Sequence, residues 1–127
     1  KSAKEDYENI ASTYWPGALT MVIPCSEQQH AILTSKDFTL GLRIPNSHMA
    51  HSLIKKTGPL LTSSANISGF VGSMTAEGLA SDFPSLKILG PIPWGKSSGK
   101  ASTVISWRES GVWKLIREGE VLVRDLF

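Results

Sequence analysis

The sequence predicts an α/β (α+β) fold, a mixed sheet with helices packed on it. Strand-like apolar runs alternate with helix-periodic stretches over the first part of the chain, and a late pair of strand-like runs flanks a Glu-Ser-Gly turn. The length of 127 residues suits one domain able to bury about two-thirds of its unfolded surface.

Each element follows from local pattern. Residues 3–14 set Tyr7, Ile10, Ala11 and Tyr14 at helical spacing, with Lys4, Glu5, Glu8 and Asn9 on the other face. Pro16-Gly17 stops that helix. Leu19 to Ile23 reads as a strand ended by Pro24, Ala31 to Leu33 as a weaker one, and Leu40 to Ile44 as a short strand closed by Pro45. Asn46 or Ser47 then caps a helix from about 48 to 56, striped by Met49, Ala50, Leu53 and Ile54. Leu60-Leu61-Thr62 reads as a strand leading into a hydroxyl cluster. A helix from Thr75 to about Phe83 follows, weakened at Gly78 by about 1 kcal/mol relative to Ala. Lys87-Ile88-Leu89 reads as a short strand. Residues 90–100 form a Gly- and Pro-rich loop, and residues 102–107 and 112–117 a β-hairpin. Val121 to Phe127 has no clear pattern.

Composition narrows the classes of function. The apolar share of 41% and the charged share of 19% are those of a globular protein rather than a disordered or membrane-spanning one. Cys25 is the only cysteine, so no intrachain disulfide forms and a reducing cytoplasm is the expected setting. A net charge of +2 does not call for a nucleic-acid partner. The chain opens on Lys and reads at once as a helix, so residues 1–127 are expected to be a single, N-terminally truncated portion of a longer domain.

The densest polar signal is Thr62-Ser63-Ser64-Ala65-Asn66-Ile67-Ser68-Gly69. Short hydroxyls and exposed backbone N–H groups there suit a phosphate or carboxylate, although composition alone favours an ordinary turn. Arg43, Ser102-Thr103 and Arg117 recur at other strand ends, where ligands of α/β sheets bind. Together the four stations would build one anion cleft, with Arg forks meeting paired oxygens. Taken singly, each has a plainer alternative: Arg43 as an edge-strand charge, Ser102-Thr103 as a solvated strand start, Arg117-Glu118 as a surface ion pair. His30, His48 and His51 lack the further ligands a metal site needs. No nucleophile elbow or Ser-His-Asp arrangement is present. Residues 95–100 miss the phosphate-loop spacing and read as a mobile cationic loop. Trp94, Trp107 and Trp113 suit core and hairpin packing better than base stacking.

Five ordered strings carry a resemblance: Trp15-Pro16-Gly17-Ala18-Leu19-Thr20, Leu42-Arg43-Ile44-Pro45, Thr62 to Gly69, Ser102-Thr103-Val104-Ile105 and Arg117-Glu118-Gly119. They resemble the YrdC-like threonylcarbamoyl-AMP synthase family over residues 5–120. The resemblance implies a twisted open sheet with a cationic concave face. It also implies a nucleotidyltransferase activity joining L-threonine, bicarbonate and ATP into threonylcarbamoyladenylate, the donor for modification of adenosine 37 of tRNA. On matching positions it implies threonine binding by Arg43, Ser63 and Ser102. It implies ATP or adenylate binding by Thr39, Ser64, Ala65, Asn66, Ser73 and Arg117. Magnesium would arrive with the phosphates of ATP, without a protein carboxylate cage.

The chain departs from the family's pattern in two places. The opening strand with a Thr-Asp-Thr-type string and the Lys-x-Arg element have no counterpart in residues 1–20. Ser106 stands where the family usually has Asp. The expectation is that this chain alone makes little adenylate. The competing reading is a non-catalytic module holding tRNA or double-stranded RNA through its phosphates. Other tRNA-modification proteins are further expected partners.

Overall fold

The structure, a computed structural model, describes residues 3–28, 38–70, 72–73, 75–88, 98–109 and 111–122. The chain divides into two compact units, Lys1–Asn46 with Lys100–Phe127, and Ser47–Gly99.

The first unit holds the sheet. Helix α1 spans Ala3–Tyr14, and strands β1 (Leu19–Pro24), β2 (Thr39–Leu42), β3 (Thr103–Glu109) and β4 (Val112–Arg117) line up in the order β2-β1-β3-β4. The central pair β1 and β3 is parallel, with Leu19 opposite Thr103, while both outer pairs are antiparallel. The predicted hairpin is therefore formed, its second strand on the sheet edge and its ladder interrupted by register shifts near Val104 and Trp107.

Alternation decides which side chains enter the core. Leu19 and Met21 point inward from β1 and meet Ile105 of β3; all three are buried, and each contributes roughly 1.5–3 kcal/mol of burial. Ile10, Ala11 and Tyr14 of α1 pack against them, with Trp15, Ile23, Trp113, Leu115 and Val121 around the margin. The apolar stripe read from the sequence is thus the face that α1 lays on the sheet. Tyr7 adds edge-on contacts to Trp107 (5.8 Å between ring centres) and Trp113 (6.0 Å), so these two indoles are packing residues. Beside Tyr7 lies a buried carboxylate. Asp6 Oδ2 accepts from the Gly111 backbone N–H at 2.7 Å and from Trp107 Nε1 at 3.3 Å, tying α1 to the hairpin turn. Burial pushes the Tyr7 phenol above its ordinary range, and the charge of Asp6 pushes the same way.

The second unit contains helix α2 (His48–Thr57) and helix α3 (Ala76–Asp82). Of the two cap candidates, Ser47 is the one used, its hydroxyl accepting from Ala50 N at 3.3 Å. Lys55 and Lys56 occupy the last turn, where the helix dipole favours cations, and Gly58 N closes the end on Ile54 O. Thr75 caps α3 by accepting from Gly78 N at 3.1 Å. Gly78 has a packing reason in that helix, because a Cβ there would meet the Ser73 hydroxyl.

Two expected strands are not formed. Leu60-Leu61-Thr62 is irregular backbone, with Leu60 and Leu61 exposed. Pro59 lacks a ladder donor, and among the described residues every strand of the sheet belongs to the first unit. Lys87 and Ile88 are likewise irregular, and Leu89 lies outside the described residues. The expected strand 31–33, His30, Trp94 and the segment 90–97 also lie outside them, as do residues 123–127.

Candidate functional site

Topology brings three of the four polar stations to one end of the sheet. Because β1 and β3 run parallel, the start of β1 lies beside the start of β3; because β2 and β4 run against them, both finish at that end. Thr20, Arg43, Ser102 and Arg117 therefore stand at one edge of the same four strands. The backbone there is tightly laced. Gly17 N donates to Ile44 O at 2.8 Å, and Thr103 N to Ala18 O at 3.0 Å. Arg43, itself exposed, donates from Nε to Gly17 O at 2.9 Å, which fixes its stem against the turn that enters β1.

The closest grouping is Arg117 on Ser102. Arg117 Nη2 donates to the Ser102 carbonyl at 2.8 Å and to Ser102 Oγ at 3.2 Å, and Nε donates to the same carbonyl at 3.2 Å. Ser102 Oγ also lies 2.9 Å from Thr20 Oγ1. Arg117 is therefore engaged by β3 rather than by its neighbour Glu118, and the ion-pair alternative is replaced by a forked contact to a carbonyl.

Ser102 and Thr103 are not a solvated strand start. Ser102 is 7% exposed and Thr103 fully covered. The covering chain is the segment after β4: Thr103 Oγ1 donates to Val121 O at 2.6 Å, and Glu120 N to Ala101 O at 3.0 Å. Gly119 is what lets that segment come so near. A Cβ there would collide with the backbone of Ala101, Ser102 and Thr103. The Arg117-Glu118-Gly119 string thus supplies a cation to Ser102 and, two residues on, the room for the chain to close over it.

Thr39 is not part of this grouping. It starts β2 opposite Pro24, about 10 Å along the strand from Leu42 at 3.4 Å per residue.

The hydroxyl cluster forms a self-bonded loop in the second unit. Asn66 Nδ2 donates to Ile67 O and to Phe70 O, both at 3.1 Å, and Phe70 N closes a turn on Ile67 O at 2.9 Å. A Cβ added at Gly72 would come within 3.4 Å of Ala65 O and of Asn66 Cβ, so the returning chain passes close to the loop. Ser63, Ser64 and Ala65 precede the turn on exposed backbone, whereas Ser73 is half-buried beside α3. Asn66 is thus a loop-shaping residue whatever else it touches. The expected fourth strand tip is a looped segment instead. Ser106, at the place of the family's Asp, is buried in β3 with its hydroxyl on Trp107 O at 3.4 Å. Thr20 is the member of the grouping not singled out from the sequence as a site residue, although it ends the Trp15-Pro16-Gly17-Ala18-Leu19-Thr20 string.

Comparison with known proteins identifies the family. The Sua5/YciO/YrdC family model, described as telomere recombination, matches residues 1–119. The chain belongs to that family. Curated relatives include the threonylcarbamoyl-AMP synthase of Pyrococcus abyssi, 37% identical over 99% of this chain, and that of Bacillus subtilis, 32% identical over 94%. The chain spans 37% and 35% of the lengths of those two relatives. Among solved structures, P. abyssi Sua5 complexed with L-threonine superposes with a TM-score of 0.82 at 34% identity. The match covers 99% of this chain and 37% of that one. The fold is therefore that of the Sua5/YciO/YrdC family, and the relatives are named as enzymes. Among the described residues no helix is long and apolar enough to cross a membrane.

Proposed function

We propose that this chain contributes the substrate-binding end of an L-threonylcarbamoyladenylate synthase. The observation that supports the reading is the grip of Arg117 on Ser102 at the sheet end that also holds Arg43. Two guanidinium groups and a buried hydroxyl at one edge suit a zwitterionic amino acid and a nucleotide phosphate together. In this reading Arg43 and Ser102 of the first unit take L-threonine, and Arg117 takes a phosphate of ATP, which brings its own magnesium; Thr39, and in the second unit Ser63, Ser64, Ala65, Asn66 and Ser73, keep the roles the family resemblance implies.

The chemistry asks for positioning more than for a protein nucleophile. The threonine amine bonds to the carbon of bicarbonate with loss of water, giving a carbamate. A carbamate oxygen then attacks the α-phosphorus of ATP, the bond to the β-phosphate oxygen breaks, and pyrophosphate leaves with magnesium. Charge builds on the phosphate oxygens as this happens, and a fixed guanidinium offsets it. The adenylate would then pass to tRNA modification in a cytoplasmic setting.

Calorimetric titration of this chain with L-threonine and with Mg-ATP, repeated on Arg117→Ala, tests the reading. Saturable binding of both, weakened at least about tenfold by the substitution, is expected for loss of a charged hydrogen bond. Absence of binding, or affinities that ignore Arg117→Ala, contradicts it. Salt-sensitive RNA binding in their place would favour a non-catalytic module.

A further inference from the structure

The geometry points to Thr20 as a positioning residue that, together with Arg117, holds the Ser102 hydroxyl as a hydrogen-bond donor toward an oxygen of bound L-threonine. This inference rests on the threonine-binding reading of Ser102 given above. A serine hydroxyl offers one proton and two lone pairs. Arg117 Nη2 can only donate, so its 3.2 Å contact occupies one lone pair of Ser102 Oγ. Thr20 Oγ1, at 2.9 Å, is able to donate into the other. With both lone pairs taken, the Ser102 proton is left for a ligand, and a ligand oxygen bearing negative charge is the acceptor that best stabilises this arrangement.

The surroundings fix the device in place. Thr20 sits on β1 opposite Val104 in the parallel β1–β3 ladder, so its Cα position is set by the sheet. Ser102 is 7% exposed, which restricts its rotamers, and its carbonyl is held twice by the same guanidinium. Thr20 is therefore a residue whose hydroxyl acts through Ser102 and not on the substrate. A threonine suits the task because its branched Cβ favours the strand while its Oγ1 reaches across to the neighbouring one.

The test titrates L-threonine and Mg-ATP separately into the wild-type chain, Thr20→Val, Thr20→Ser and Thr20→Ala. The expected result is an L-threonine affinity about tenfold weaker in Thr20→Val and Thr20→Ala, as for loss of one buried hydrogen bond. Thr20→Ser should restore it, and the Mg-ATP affinity should stay at the wild-type value in all three. A purely structural role would move both ligands together and would not be rescued by Ser. Unchanged threonine affinity in Thr20→Val, equal loss of both ligands, or failure of Thr20→Ser to restore binding overturns the inference while leaving the synthase reading intact. A wild-type chain that binds neither ligand overturns the synthase reading, and this inference with it.

Discussion

Arg117 Nη2 reaches both the carbonyl oxygen of Ser102, at 2.8 Å, and its hydroxyl, at 3.2 Å. Ser102 immediately precedes β3 and Arg117 ends β4, so the contact holds a guanidinium against the open end of the hairpin.

Asp6 joins α1 to the hairpin through two donors that would otherwise lose their acceptor. Asp6→Ala should destabilise the fold by about 1–2 kcal/mol, the cost of losing hydrogen bonds to a buried carboxylate from donors that water can still reach in part. Asp6→Asn keeps one acceptor oxygen and should cost less. Urea denaturation followed by tryptophan fluorescence compares them, and equal stability of Asp6→Ala and wild type would remove Asp6 from this role.

The phenol of Tyr7 supplies a pH dependence. Its folded-state pKa is raised, first by burial and then by Asp6. The ionised form is thus disfavoured in the folded state, and stability from this group is present below the unfolded value of about 10. It is lost as pH rises through the raised folded value. Alkaline denaturation should therefore be steeper in wild type than in Tyr7→Phe, and identical curves would contradict the prediction.

Ser73 and Gly78 are coupled through space. Gly78→Ala gains about 1 kcal/mol of helix propensity, yet its Cβ must displace the Ser73 hydroxyl. The single substitution should be close to neutral, while Ser73→Ala/Gly78→Ala should recover part of the gain, because the added Cβ would still lie 3.0 Å from the Cβ of residue 73 and 3.2 Å from Thr75 Oγ1. A thermodynamic cycle on the two sites reads the coupling directly, and strict additivity would refute it.

Much of this was legible from local pattern because the causes are local. Tyr7, Ile10, Ala11 and Tyr14 gave the buried face of α1, Pro16 its end, and Ser47 the cap of α2. Asp6 lies four residues before Ile10 and so on the same face, but in sequence a lone carboxylate there is indistinguishable from an exposed helix charge. The strand expected at Leu60–Thr62 failed because strand formation depends on a neighbour, and a short apolar run carries no information about whether one exists. Burial of Ser102 and Thr103 was invisible for the same reason: residues 119–121 cover them, and only Gly119 hinted at a close approach.

Asn66 divides shape from chemistry in the hydroxyl loop. Asn66→Ala removes donors to Ile67 O and Phe70 O and should destabilise the second unit by about 1–2 kcal/mol. It should also weaken Mg-ATP binding if the loop takes the nucleotide. Hydrogen exchange of the Phe70 amide reports the first effect without any ligand, and unchanged protection would contradict it.

The most direct measurement is a proton–nitrogen correlation spectrum of this chain, including the arginine Nε region, recorded during titration with L-threonine. The account predicts saturable shifts centred on Thr20, Ser102, Thr103 and the Arg117 Nε resonance, lost in Arg117→Ala. A folded chain whose Ser102 and Arg117 signals stay fixed while threonine is added would contradict it.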